Sequence, residues 1–455
     1  MAGAPNDARI SPKRKLGFVM CVALVVGNMI GTGIFQLPRD LAPMGWNSVL
    51  GWLATIAGTL CLAVVLLRLG RGRADGCAPY AYPAAAFGPG TGFVVAWSYW
   101  ISCWTVNATL AVAVVQNLAF IWPGLAAPGI AAPAALAILW LFTFINCLGV
   151  REAGKVQVLT SALKLVPLAG AILVAAWFLL RGGAVPVQRE SVPIEAGSIQ
   201  AAATLALFAM LSFESAMACG DRVENPERNV PRATMVGTLI AGLIYLLCSS
   251  AVSLLLPHEA VAGTDSPFAL FFSTLVDPAL GPIIAAFVAI AALGALNGII
   301  LVQAEMPLAV AREGLLPAWF ARFNRWEIPW RIHIISSGLA TLLLVANYTQ
   351  SLAKLFTFMV LVTTSVSLIF YLTGTLAALW LRMKGRLEGN AGFVLTGFAA
   401  AAYCVWAFYG AGLRESLWSL GMTAVAIPVY LLMRQANRSS RAAAARPAAP
   451  PESAA

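Results

Sequence analysis

Long apolar runs alternate along this chain with short polar punctuation. A helix crossing the hydrocarbon core needs ~20 mostly apolar residues, and the runs predict twelve such spans. They fall at 16–41, 47–69, 88–122, 133–150, 155–180, 199–219, 232–256, 279–308, 332–347, 354–381, 392–411 and 415–434. No charged residue occurs between Gly76 and Val150, a stretch too long for one helix. Pro and Gly residues between Trp122 and Pro133 divide it into two. Helices satisfy every backbone polar group internally, as the bilayer interior demands. The expected fold is therefore an all-α integral membrane protein with twelve transmembrane helices.

Composition supports this. Hydrophobic residues make up 60% of the 455 and charged residues only 11%, a balance that excludes a water-soluble domain. The first fifteen residues are polar and basic, and 435–455 is rich in Ala, Pro, Ser and Arg; the latter is expected to be disordered.

The charges supply the orientation. Loops between the runs sort into two alternate sets. One set holds all 29 basic residues except Arg39, Arg181, Arg189, Lys354 and Arg414, and Lys164, which lies inside a span. The positive-inside rule puts that set, with both termini, in the cytoplasm, which independently requires an even number of spans. The setting expected is a bacterial inner membrane. The net charge of +10 is then accounted for by topology and anionic lipid, and nucleic acid is not an expected partner. Eight cysteines without a CxxC pair read as small apolar thiols. With only His258 and His333, both near span ends, neither a metal site nor a cofactor is expected, and no nucleophile, base or metal set marks an enzyme.

Polar groups inside spans cost several kcal/mol unless they face protein or water, so they mark candidate sites. Span 1 contains Gly27-Asn28-Met29-Ile30-Gly31-Thr32-Gly33, a poor helix former. It can be a small-residue packing face, or a helix broken near the midplane whose freed N–H and C=O groups bind the two ends of an amino acid. Glu214 is an acid in otherwise uncharged span 6; it either bridges helices or responds to protons or cationic substrate. Lys164 lies too deep in span 5 to snorkel easily. It is either a structural cation or one that stands where a related architecture holds sodium and exchanges a proton. In span 3, Tyr99, Cys103 and Asn107 share one helical face, as do Trp100 and Trp104.

The chain resembles the amino acid, polyamine and organocation transporters over nearly its whole length. The resemblance is carried by GNMIGTGIF at 27–35, PYAYPAAAFG at 79–88, FESA at 213–216 with VENPERNVPRA at 223–233, and AREGLLPAWFARFN at 311–324. It implies a fold similar to that of LeuT: two inverted five-helix repeats, 16–181 and 199–381, with helices 1 and 6 discontinuous, followed by two further spans in 392–434. The closest pattern is that of the bacterial arginine/agmatine-type antiporters of basic amino acids and polyamines. That likeness implies substrate contacts from Asn28, Ile30, Gly31, Thr32 and Gly33, and pocket walls from Tyr99, Asn107, Thr363 and Tyr371. Phe208 stands in the place of a gating tryptophan, and Glu214 is the proton-responsive acid. A second pocket tryptophan is replaced by Ile299, which removes a cation–π partner, and Lys164 is similar to a lysine of neutral amino acid carriers in the same superfamily. The implied function is secondary active exchange by alternating access, of a basic amino acid for its decarboxylated amine or a related amino acid. A neutral amino acid permease and an amino acid sensor without transport are the alternatives. Members of this type are often homodimers, and the residues leave that open.

Overall fold

A computed structural model describes residues 17–70, 80–127, 129–149, 153–181, 192–214, 223–347 and 349–444. The described residues form helices and connecting turns, with no strand among them. The first apolar run is divided into α1 (Phe18–Met29), α2 (Gly33–Gln36) and α3 (Pro38–Leu41), followed by α4 (Trp46–Gly70). Next come α5 (Ala81–Phe87), α6 (Pro89–Ile121), α7 (Ala131–Cys147), α8 (Ala153–Leu180) and α9 (Ala196–Met210). Beyond α10 (Pro226–Leu255) lie the short α11 (His258–Ala262) and α12 (Pro267–Leu275), then α13 (Leu280–Val302), α14 (Glu305–Arg312) and α15 (Trp330–Val345). The chain closes with α16 (Leu352–Met383), α17 (Ala391–Gly410), α18 (Leu413–Ala424) and α19 (Ala426–Ala444).

Among the described residues eight helical segments are long and apolar enough to cross a membrane. The remaining four predicted runs coincide with shorter apolar helices, α1, α7, α9 and α15. Two of these are short because the chain breaks. Helix α1 stops at Met29 and helical geometry resumes at Gly33. Helix α9 stops at Met210, ahead of Ser212 with φ 71°, where the apolar pattern alone runs to 219; residues 215–222 lie outside the described residues.

The tail also differs from expectation. Residues 435–444, expected to be disordered, continue α19 as helix, because Ala, Arg and Gln are strong helix formers once a preceding helix supplies the nucleus. Residues 445–455 lie outside the described residues.

Burial orders the bundle. The apolar windows of α6 and α16 are 78% buried, whereas that of α8 is 22% buried, which makes α6 and α16 the central helices and α8 a peripheral one. Exposed Leu239, Leu243 and Leu247 on α10 recur at i, i+4, an apolar stripe of the kind that faces lipid. Helices approach closely where small residues meet. A Cβ on Gly51 of α4 would lie 2.6 Å from the Ala202 Cβ and 2.9 Å from the Ala203 backbone nitrogen, and Thr55 Oγ1 donates to the Ala203 carbonyl at 2.8 Å.

Two of the motifs in the sequence meet in space. The Tyr80 hydroxyl of the PYAYP segment donates to Glu313 Oε1 of the AREG segment at 2.6 Å, tying the approach to α5 to the end of α14. Burial, and then the bond to Glu313, hold the Tyr80 hydroxyl well above its ordinary value, so it remains the donor of this pair.

Candidate functional site

The break in the first run begins with glycine. Ile30 N–H still reaches the Val26 carbonyl at 3.0 Å, and Phe35 and Gln36 N–H groups both bond the Thr32 carbonyl, at 3.0 and 3.3 Å. Between these turns the N–H groups of Gly31 and Thr32 meet no acceptor among the described residues. The carbonyl side of the break is occupied. Lys164 of α8, only 3% exposed, donates from Nζ to the Ile30 carbonyl at 2.9 Å and the Gly27 carbonyl at 3.4 Å. An ammonium thus caps the end of α1, where the helix dipole concentrates partial negative charge. The donors left over are N–H groups, suited to a carboxylate.

Gly33, the first residue of α2, packs on α9. A Cβ there would lie 2.9 Å from Phe208 Cδ1 and 3.2 Å from the Ala209 Cβ, so only glycine fits without displacement. Phe208 in turn meets Phe356 of α16 edge-on, ring centroids 6.4 Å apart, and the two rings form an aromatic plug against Gly33 at the break.

A second group gathers around Glu214. The Tyr371 hydroxyl of α16 donates to Glu214 Oε2 at 3.1 Å. Rings continue from there: Tyr371 packs on Phe213 at 5.3 Å and Phe370 at 4.8 Å, and Phe370 on Tyr99 of α6 at 5.7 Å. Thr363, two turns before Tyr371 on α16, is fully buried with its hydroxyl unpartnered among the described residues.

Asn107 belongs to a third group. Its Nδ2 donates to Gln303 Oε1 at 2.9 Å, and Gln303 Nε2 meets His333 Nδ1 at 3.3 Å. Six residues before Gln303, Asn297 of α13 accepts at Oδ1 from Asn146 Nδ2 of α7 at 2.9 Å. Gln303 sits at the junction of α13 and α14, so the network is anchored where the two helical segments meet.

Four expected contact residues are not joined to these groups by a side-chain hydrogen bond or ring contact among the described residues. Asn28 is exposed, Gly31 and Ile299 are partly exposed, and Thr363 is buried without a partner. A cavity of about 500 Å³, lined by Arg39, Asp40, Gln350, Lys354, Arg414 and Glu415 among others, contains none of the expected site residues. Beside it Arg39 pairs with Asp265, and Thr357 donates to Asp40 Oδ2 at 2.8 Å.

Sequence reasoning passed over Gln303 and His333. The signal was available: Gln303 falls inside the predicted span 279–308, where the rule that polar groups in spans mark candidate sites applies equally.

Comparisons with known proteins converge on one family. The profile of the amino acid permease family matches residues 16–426. The cadaverine/lysine antiporter of Escherichia coli K12 is 30% identical over 337 residues, covering 74% of this chain and 76% of that protein. The putrescine transporter PotE of Haemophilus influenzae is 29% identical over 424 residues, covering 91% and 96% of the two chains. Its counterpart in Escherichia coli K12 is 27% identical over 426 residues, covering 92% and 96%. With nearly its whole helical bundle inside the profile, this chain belongs to the amino acid permease family.

Proposed function

We propose that the protein exchanges a basic amino acid for its decarboxylated amine, or for a related amino acid, across a bacterial inner membrane by alternating access. The twelve helical runs all cross the bilayer, with both termini in the cytoplasm. Residues 16–181 and 199–381 form inverted repeats in this reading, and 392–434 adds two peripheral spans. The substrate carboxylate docks on the Gly31 and Thr32 N–H groups, with Asn28, Ile30 and Gly33 shaping the backbone around it. Glu214, held by Tyr371, receives the ammonium, and Tyr99, Asn107, Ile299 and Thr363 complete the walls. Phe208, against Gly33 and Phe356, closes one side. Protonation changes at Glu214 bias which side opens.

The observation that carries this reading is the broken first helix. Its carbonyls are capped by Lys164 and its N–H groups are left without acceptors among the described residues. Support from relatives comes through their names: one is a cadaverine/lysine antiporter and two are putrescine transporters. Proteoliposomes loaded with unlabelled arginine, lysine, ornithine, agmatine, cadaverine, putrescine or alanine would be given labelled lysine or putrescine outside. Saturable uptake that needs a cationic internal substrate is expected. Uptake of neutral amino acids that needs a proton gradient and no internal substrate would instead favour a permease, the reading to which Ile299 and Lys164 lend weight.

A further inference from the structure

Between the end of α14 at Arg312 and the start of α15 at Trp330 the chain connects two apolar helical segments. Asn324 pins this connection to the bundle. Its Nδ2 donates to the Cys147 carbonyl at the end of α7 at 2.7 Å, and its Oδ1 accepts the N–H groups of Trp326 and Ile328, both at 3.0 Å. Nearer α14, Phe320 is buried edge-on to Trp100 of central helix α6, ring centroids 6.3 Å apart. The connection is therefore a fixed platform.

What the platform presents outward is aromatic and cationic together. Trp319, Phe323, Trp326 and Trp330 are all exposed. The Arg331 guanidinium lies 5.7 Å from the Trp319 ring centroid and 5.5 Å from that of Trp330, and its Nη1 donates to the Trp319 carbonyl at 3.4 Å. The Arg325 guanidinium lies over the Trp326 ring at 4.0 Å. Rings hold these two cations in place without neutralising them. The acids of the connection leave them free: Glu313 accepts the Tyr80 hydroxyl, and among the described residues neither Glu313 nor Glu327 forms an ion pair. Two uncompensated guanidiniums with open donors suit the oxygens of a phosphate group.

Position selects which phosphate. Tryptophan rings favour the headgroup level of a bilayer, and arginines of cytoplasmic loops meet anionic lipid there. We propose that segment 318–331 is a docking platform for the anionic phospholipids of the cytoplasmic leaflet, with a headgroup phosphate on Arg325 and Arg331 and acyl chains against the exposed rings. The inference borrows from the reading above only the cytoplasmic side of this connection, and its test needs no substrate.

The full-length protein is reconstituted in vesicles of equal parts phosphatidylcholine and phosphatidylglycerol, extracted in mild detergent, and the lipids that stay bound are counted by native mass spectrometry. Wild type should retain phosphatidylglycerol in excess. Arg325 is exposed, so Arg325→Gln removes a charge with little effect on the fold. The ratio of bound phosphatidylglycerol to phosphatidylcholine should fall about fivefold in Arg325→Gln, and about tenfold or more when Arg331→Gln is added. Arg331→Lys keeps the charge but gives up the planar fork, and should fall between wild type and Arg331→Gln. Arg181→Gln is the control: that guanidinium also lies over a tryptophan, Trp177 at 4.7 Å, but outside the platform, and the ratio should not change. Equal retention of the two lipids by wild type overturns the inference, as does an unchanged ratio in the combined variant; Arg325→Gln alone decides the case if the combined variant unfolds. An equal fall in Arg181→Gln also overturns it, since any arginine stacked on tryptophan would then serve. Retention of phosphatidylglycerol by a wild type that carries no cationic substrate would uphold the platform and sink the exchange reading.

Discussion

The ammonium of Lys164 and the carbonyl of Ile30 meet at 2.9 Å, at the point where the first helix stops. A helix that ends inside an apolar bundle strands carbonyls that have no water to accept from. One buried cation, shared with the Gly27 carbonyl at 3.4 Å, answers that need and makes the break a stable feature.

Replacing Lys164 with Met keeps the apolar stem and removes the donor. Stranded carbonyls cost about 1–3 kcal/mol, partly offset because a buried charge is also removed. Exchange should fall by about tenfold or more with only a modest drop in melting temperature, read by proteoliposome flux and thermal unfolding side by side. Full exchange activity in Lys164→Met would remove this lysine from the working site.

Gly33 and Phe208 are coupled by contact. Adding a methyl at Gly33 drives a carbon to 2.9 Å from the Phe208 ring, so Gly33→Ala should impair exchange by displacing the plug. The nearest atom belongs to a side chain, and truncating it makes room. The double variant Gly33→Ala with Phe208→Ala should therefore show a non-additive effect, measurable as a double-mutant cycle on half-saturation and maximal rate. Strict additivity would mean the two residues act separately.

Gly51 tests packing alone. Its added Cβ would meet the backbone nitrogen of Ala203 at 2.9 Å, an atom that cannot rotate away. Gly51→Ala should destabilise by about 1–3 kcal/mol, lowering the melting temperature while leaving half-saturation of the surviving protein unchanged. Gly27→Ala is the contrast, because nothing lies within 4 Å of a Cβ there; its melting temperature should not fall.

Among the described residues Glu214 and Tyr371 form the one hydrogen-bonded pair between expected site side chains. Glu214→Gln should abolish the pH dependence of exchange, because the titrating carboxylate is gone. Tyr371→Phe should keep that dependence and raise half-saturation by about tenfold or more, the worth of one hydrogen bond to a charged group. A Glu214→Gln protein that still responds to pH as wild type does would assign proton sensing elsewhere.

Tyr80 and Glu313 join segments 233 residues apart. Tyr80→Phe and Glu313→Gln should reduce the exchange rate to similar extents, and the double variant should lose little more than either single one. Because both lie away from the expected contacts, half-saturation should stay near wild type in all three.

Much of this architecture is written locally. Apolar runs separated by Pro, Gly and charge mark where helices form, since burying apolar surface and satisfying backbone groups depend on neighbours along the chain. The glycines at 27, 31 and 33 likewise predict the failure of the first helix, because helix propensity is a property of the residue itself. The extent of the second interruption was not legible: nothing in the apolar pattern from 199 to 219 stops at Met210, and the left-handed Ser212 reflects the surroundings of α9.

Partnership was legible only in tertiary structure. Lys164 reads in sequence as a costly buried cation, and only the fold brings it to a carbonyl 134 residues away. Asn107 reads as a wall of the pocket, and only the fold ties it to Gln303 and His333. Periodicity and propensity determine which residues must be buried; which buried groups meet is decided by helix packing, where shape and hydrogen-bond satisfaction act between residues that the sequence keeps far apart.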